Sequence, residues 1–89
     1  MRWRIEVSNN AEKFLLKNTL SKEKVFNLIR GAIRYFSGED INVDIKKLGG
    51  KWFGFYRIRK GKVRIIAGFD FANSVVFIEE IDWRGNIYK

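Results

Sequence analysis

The stretch YRIRKGKVRI, residues 56–65, carries five positive charges within ten residues. Three of them belong to Arg57, Arg59 and Arg64, whose planar guanidinium groups can bind two phosphate oxygens at once. The other two belong to Lys60 and Lys62. Such residues can bind a phosphate and stabilise the charge that develops on it in a reaction. We therefore predict that the three arginines act on a nucleic-acid phosphate and that the two lysines bind the same nucleic acid.

The residue types that are missing restrict this chemistry. The chain has no cysteine and no histidine, which removes thiol catalysis, cysteine metal sites and the usual general base. Arginine cannot replace histidine as a base at neutral pH, since its pKa exceeds about 12. We predict no cofactor and no metal.

The charge balance points to a polyanionic partner. Against 18 Lys and Arg the chain has 10 Asp and Glu, a net charge of +8, which favours nucleic acid over an acidic protein or an anionic membrane surface. With 89 residues and 46% hydrophobic content, we predict one domain covering residues 1–89. The longest purely apolar run is VVFI, at 75–78, so we predict neither a signal peptide nor a membrane span, and a cytoplasmic protein.

Hydrophobic periodicity predicts an α+β fold in the order β-α-α-β-β-β, with two N-terminal helices packed on one face of a small, mainly antiparallel sheet. Apolar and charged residues alternate over 2–8, which is typical of a half-buried strand. Asn9, followed by Glu12, resembles a capping box and predicts a short helix that ends near Asn18.

The second predicted helix is the longest element. Ser21 is its expected N-cap and Gly38 its expected stop, with apolar residues recurring every three or four positions between them. A loop that contains Glu39 and Asp40 should follow. We interpret the polar face of the helix as solvated, with contact to phosphate as the alternative; it carries Lys22, Lys24, Arg30 and Arg34.

The strand and turn patterns of the last forty residues predict an antiparallel meander. Its strands are expected near 51–59, 62–70 and 74–82, with a short terminal strand at 86–88. The turn signals are Lys60-Gly61 and the segment 70–73.

A two-residue Lys60-Gly61 loop would fix the register of the first hairpin. The predicted pairs are Arg59 with Lys62, Ile58 with Val63, Arg57 with Arg64, and Tyr56 with Ile65. This leaves one apolar face, Tyr56, Ile58, Val63 and Ile65, and one cationic face, Arg57, Arg59, Lys62 and Arg64. Like charges directly opposite each other are destabilising, which is typical of a functional site. The alternative is a solvated face whose charges pair with Glu79 or Glu80.

Two further groups of residues could complete a site. Arg84 and Tyr88 lie four apart around Gly85, and a chain running back along the sheet would bring them to the cationic face. Four aromatic residues could stack on unpaired bases or, as is more common in strands, belong to the core: Trp52, Phe53, Phe55 and Tyr56.

The segments KLGGKWFGFYRIRKGKVRIIAGFD and VVFIEEIDWRGNIYK resemble the C-terminal half of the RelE/ParE superfamily of toxins from toxin–antitoxin pairs. The strongest elements are Leu48 to Gly50, the YRIR-x-G-x-x-R-I-I hairpin and the terminal R-x-x-x-Y, after a β-α-α segment. The resemblance implies two helices packed on one face of a small sheet. In the RelE branch it also implies an endoribonuclease that enters the ribosomal A site and cuts mRNA there.

The resemblance also implies roles for particular residues. The family's catalytic positions match Arg57, Arg59, Arg64, Arg84 and Tyr88. Many relatives have a histidine immediately before the terminal arginine, where this chain has Trp83, so an imidazole mechanism is excluded. The implied chemistry is attack by the RNA 2′-hydroxyl, with cations stabilising the transition state, and we predict that Lys60 and Lys62 bind this RNA. Tyr88 is the best remaining proton carrier for the reaction, because a cationic surrounding favours its phenolate. Glu79 and Glu80 are alternative bases, although either could instead neutralise an arginine. The implied partners are the ribosome, mRNA and an acidic, partly disordered antitoxin.

Two other functions remain open at this point. A ParE-like toxin would bind DNA gyrase and would need no ribonuclease site, and the terminal Arg84 and Tyr88 argue against it. A plain RNA-binding module would use the same cationic face for affinity without turnover, with binding that weakens steeply as salt rises.

Overall fold

The computed structural model describes residues 2–83. Two helices and five strands are defined there, in the order β1, α1, α2, β2, β3, β4, β5. Their bounds are β1 Arg4–Val7, α1 Asn9–Lys17, α2 Lys22–Phe36, β2 Asp44–Lys47, β3 Tyr56–Lys60, β4 Val63–Asp70 and β5 Val75–Trp83. No helix within this part of the chain is both long and apolar enough to span a bilayer. The predicted α+β class is confirmed; the predicted terminal strand at 86–88 lies outside the described residues.

The strands form one sheet in the spatial order β1-β5-β4-β3-β2. The pairs β2–β3, β3–β4 and β4–β5 are antiparallel, whereas β1 runs parallel to β5 at the far edge. The helices cover one face of this sheet. The core between them contains Ala11, Leu15, Val25, Ile29, Ala32, Ile58, Ile65, Ala67, Val76, Ile78 and Ile81.

Strand β2 was not predicted. It occupies Asp44–Lys47, in a region where the sequence indicated only a loop, and it pairs with β3 along the sheet edge. Its signal is present in the sequence, because Ile41, Val43 and Ile45 alternate with polar residues. The strand brings Asp44 beside Arg57 and Arg59 of β3.

Strand β3 begins later than predicted. The expected strand 51–59 starts only at Tyr56, and a 3₁₀ turn at Gly50–Trp52 precedes it. Gly50 and Gly54 have φ values of 61° and 93°, which glycine adopts readily and other residues rarely do. Trp52 and Phe53 therefore lie on a turn, whereas Tyr56 is the first residue of the strand.

The predicted hairpin loop is wrong by one residue. The loop is Gly61-Lys62, so Lys60 pairs with Val63, Arg59 with Arg64 and Ile58 with Ile65. Gly61 occupies the first turn position with φ 59°, a conformation that would be strained for the lysine that we placed there. The loop still has two residues, so the side chains of both strands keep their predicted faces.

Ser8, and not Asn9, is the N-cap of α1. Its hydroxyl accepts a hydrogen bond from the Ala11 amide at 3.1 Å and donates one to the Glu79 carbonyl at 2.6 Å. Glu79 is the extra residue of a β-bulge in β5, where the register shifts between Ile66 and Ala67. The cap thus ties α1 to β5, which the local sequence could not show. The predicted Ser21 cap of α2 is confirmed.

Candidate nucleic-acid interface

Arg57, Arg59 and Arg64 lie on the sheet face that the helices leave uncovered, which we call the arginine face. Ile58 and Ile65 are fully buried against the helices, and alternation along each strand directs their neighbours to the opposite side. Two of the arginines are themselves enclosed, with residue exposures of 9% for Arg57 and 8% for Arg64. The site therefore holds guanidinium groups that are largely withdrawn from water, where charges interact strongly.

Asp44 supplies a counter-charge for two of these arginines. Its Oδ1 accepts a hydrogen bond from Arg57 Nη2 at 2.6 Å, and its Oδ2 accepts one from Arg59 Nε at 2.8 Å. The hydrogen bond from Arg59, with the positive charge of Arg57, lowers the pKa of the Asp44 carboxyl below its ordinary value. Asp44 is therefore ionised at neutral pH and holds both guanidinium groups through charge-assisted hydrogen bonds.

The like-charge pair of the face is Arg59 with Arg64, where the sequence predicted Arg57 with Arg64. Each arginine of the pair also has an acidic cross-strand partner on its other side. The residues in this row across four strands are, in order, Asp44, Arg59, Arg64 and Asp82. The two carboxylates offset part of the repulsion between the central arginines. The structure thus places beside the arginine pair two acids, Asp44 and Asp82, that sequence reasoning did not place there.

The two lysines predicted to bind RNA lie away from the centre of this face. Lys60 ends β3 and lines a groove on the helix side with Leu28 and Trp83, so its side chain faces away from the arginines. Lys62 lies in the hairpin turn and not on the strand face. Lys62 is the better placed of the two for contact with an approaching polymer. The predicted positions Arg84 and Tyr88 lie outside the described residues.

Of the four aromatic residues proposed for base stacking, three pack against neighbouring residues and one is largely exposed. Tyr56 packs edge-on against Phe36, with ring centroids 5.0 Å apart. Phe55 is half-buried and covers Gly68, where an added Cβ would meet the ring at 3.4 Å. Its ring contacts that of Trp52, also half-buried. Phe53, at 78% exposure, has the freest ring for stacking on a base.

Trp83 occupies the position that the resemblance associates with histidine. Its ring packs edge-on against Phe14 at 5.3 Å, and its Nε1 donates to Asn18 Oδ1 at 3.3 Å. Both contacts are to the α1 region, on the helix side of the sheet. In this chain the residue at that position therefore anchors α1 and does not face the arginines.

Glu80 is a half-buried carboxyl on the arginine face, opposite Ile66. Burial raises its pKa, and the negative charges of Glu79 and Asp82 raise it further, against the smaller opposing effect of Lys51. A raised pKa means that the folded protein prefers the protonated form. The stability that Glu80 contributes is therefore present at pH values below its ordinary pKa and is lost as the pH rises through the raised value.

We expect Glu80→Gln to stabilise the protein at neutral pH, because the amide carries no charge to desolvate. The melting temperature should rise by a few degrees at pH 7, and the difference from the wild type should disappear by about pH 4. Thermal unfolding followed by circular dichroism over this range measures both. Asp40→Asn removes an equal charge from an exposed loop and serves as the control. Equal shifts for the two variants would contradict the prediction.

The fold places the chain among known toxins. No protein-family model matches the sequence, and no curated protein matches it significantly. Among solved structures, it is similar to a chain of the archaeal RelE–RelB complex from Pyrococcus horikoshii OT3, with 26% identity, a TM-score of 0.65, and coverage of 97% of this chain and 99% of that one. The predicted resemblance to RelE toxins is therefore confirmed.

Other solved structures share the RelE fold at lower identity. A chain of the RelB–RelE antitoxin–toxin complex from Methanococcus jannaschii is 21% identical, with a TM-score of 0.61 over 93% of this chain and 94% of that chain. A metal-bound toxin from Helicobacter pylori is 13% identical, with a TM-score of 0.70 over 97% and 99% of the two chains. The helix-covered sheet is thus preserved while most side chains differ, so the residues of the arginine face must be argued from their own geometry.

Proposed function

We propose that this protein is the toxin of a type II toxin–antitoxin pair and an endoribonuclease that cuts mRNA in the ribosomal A site. The observation that carries the proposal is the convergence of Arg57, Arg59 and Arg64 on one open face of the sheet. Three guanidinium groups in a partly dehydrated site can bind a phosphodiester and stabilise the extra negative charge of its transition state. The similarity to the RelE structure from Pyrococcus horikoshii supports the same role.

The proposed reaction is attack of the RNA 2′-hydroxyl on the adjacent phosphorus. The P–O5′ bond breaks as the new bond forms, leaving a 2′,3′-cyclic phosphate and a 5′-hydroxyl. The arginines, with Arg84 as proposed from the family pattern, stabilise the pentacoordinate transition state. One proton must leave the 2′-hydroxyl and one must reach the departing oxygen. Tyr88 is the proposed proton carrier, and both terminal residues remain proposals because they lie outside 2–83.

Dependence on the ribosome follows from the scarcity of proton carriers. Acid–base catalysis contributes about 10² to 10⁴ to a rate, and a chain without histidine lacks its usual source. Correct orientation of the 2′-hydroxyl and the departing oxygen can replace part of that contribution. We propose that the ribosome supplies this orientation by holding the mRNA in the A site, and accordingly that the protein acts in the cytoplasm.

The decisive test compares two substrates of one sequence. Primer extension should reveal cuts in mRNA within a translating extract, and little or no cutting of the same mRNA free in buffer. The 5′ fragments should end in a 2′,3′-cyclic phosphate. Equal cutting of both substrates would refute the dependence on the ribosome. Binding without any cyclic phosphate would support the RNA-binding module instead, and growth arrest that survives Arg64→Ala would support a gyrase poison.

A cognate acidic antitoxin is the proposed partner. The Pyrococcus horikoshii and Methanococcus jannaschii structures are both complexes of RelE with RelB. A net charge of +8 and an open arginine face suit an acidic chain that folds as it binds.

A further inference from the structure

Asp44 leaves a specific set of arginine donors available to a substrate. On Arg59 it takes the Nε hydrogen, so both Nη groups at the end of the guanidinium remain available. On Arg57 it takes one Nη2 hydrogen. The Arg57 Nε is buried and makes no hydrogen bond to any residue in 2–83. The carboxylate thus binds one N–H group of each guanidinium and leaves the two Nη groups of Arg59 to other acceptors.

The burial of the three side chains shows why this arrangement orients them. The Arg57 side chain is 11% exposed and that of Arg59 30%, whereas the Asp44 side chain is 41% exposed. A long arginine side chain has several rotatable bonds, and repulsion from Arg64 across the strand would turn Arg59 away from the phosphate position. Two charge-assisted hydrogen bonds to a carboxylate on a paired strand oppose that rotation.

The same carboxylate also opposes binding. An anion placed between two arginines neutralises part of the charge that would otherwise attract RNA, and a substrate phosphate must share those arginines with it. Removing the carboxylate should therefore strengthen nonspecific attraction to RNA, even though the arginines lose their orientation.

We propose that Asp44 is a positioning residue for the reaction, holding Arg57 and Arg59 in their productive orientation while lowering the affinity of the arginine face for RNA. This inference rests on the proposed function. It predicts that loss of Asp44 changes rate and affinity in opposite directions. A residue that only stabilised the fold would lower both together.

Asp44→Asn tests the proposal, with Asp40→Asn as the control that removes an equal charge four residues away in an exposed loop. In single-turnover assays on programmed ribosomes, Asp44→Asn should lower the maximal cleavage rate at least about tenfold, since a misplacement of about 1 Å can cost 10²-fold. Binding of a 2′-O-methylated single-stranded RNA, which cannot be cut, should strengthen several-fold. The slope of log K against log salt should steepen by about 0.7.

An unchanged rate, or a rate and affinity that fall together, overturns the role of Asp44. Should Asp44→Asn not fold, Asp44→Glu answers the question, because it keeps the charge but displaces the carboxylate by one methylene. That variant should lose rate with an unchanged salt slope, and a wild-type rate overturns the proposal. Wild-type protein that cuts no mRNA refutes the proposed function itself, whereas normal wild-type cleavage matched by Asp44→Asn refutes only this inference.

Discussion

Replacing Arg64 with alanine is expected to lower the rate of mRNA cleavage on translating ribosomes by about 10² to 10³, the usual effect of removing one group that stabilises a developing oxyanion. Arg64 lies directly opposite Arg59, and its residue exposure is only 8%. A guanidinium in such a position acts on a phosphate with little screening by water. Primer extension with a time course measures the rate.

Two further variants make the Arg64 result interpretable. Arg30→Ala removes a guanidinium from the solvent side of α2, where its partner is Asn27, and should leave cleavage within about twofold of the wild type. Arg64→Lys keeps the charge but not the planar fork and should restore only part of the rate. Circular dichroism must show that Arg64→Ala remains folded. Wild-type cleavage by a folded Arg64→Ala protein would remove this arginine from the catalytic group.

Ile65→Ala is expected to have the largest effect on stability. Ile65 is fully buried at the centre of the sheet, between Ile58 on β3 and Ile81 on β5. Truncating such a side chain costs about 2 to 5 kcal/mol, through lost burial and the cavity left behind. A domain of this length has a free energy of unfolding of roughly 0.05 to 0.15 kcal/mol per residue. One substitution therefore removes a large share of the total.

Urea denaturation measures this loss as a lower midpoint with an unchanged slope. Ile65→Val, which removes only one methylene, should cost about 0.5 to 1.5 kcal/mol. Leu16→Ala is the matched surface control, because Leu16 is 80% exposed, and it should change stability by less than about 0.5 kcal/mol. Comparable losses for Leu16→Ala and Ile65→Ala would contradict the assignment of the core.

The hairpin shows which part of a fold the sequence determines and which part it leaves open. Alternation sorts side chains between two faces, so Arg57, Arg59 and Arg64 were correctly assigned to one face. Their cross-strand partners depend on the turn. The first turn position has φ 59°, which favours Gly61 there over the lysine of the assumed Lys60-Gly61 loop. Sequence patterns thus predict the face of each side chain more reliably than the strand register. Moving the turn by one residue shifts the register by two, so each side chain keeps its face but has a different cross-strand partner.

Asp44 shows why a site is harder to predict than a fold. Its strand is short, at four residues, and its alternation is visible only over 41–46. That it binds Arg57 and Arg59 depends on pairing across thirteen and fifteen residues of chain, which no local pattern encodes. The family pattern names the cations that relatives share and does not name the carboxylate that this chain places between them.

The parallel pairing of β1 with β5 has a consequence for the synthesis of the protein. β1 is synthesised well before its partner strand β5, and Ser8 reaches its hydrogen-bond acceptor Glu79 across 71 residues. The meander of β2, β3 and β4 can pair as it emerges, whereas the sheet edge formed by β1 must wait until β5 has been made. A protein that we propose acts on ribosomes thus cannot complete its own sheet until β5 has left the ribosome that makes it.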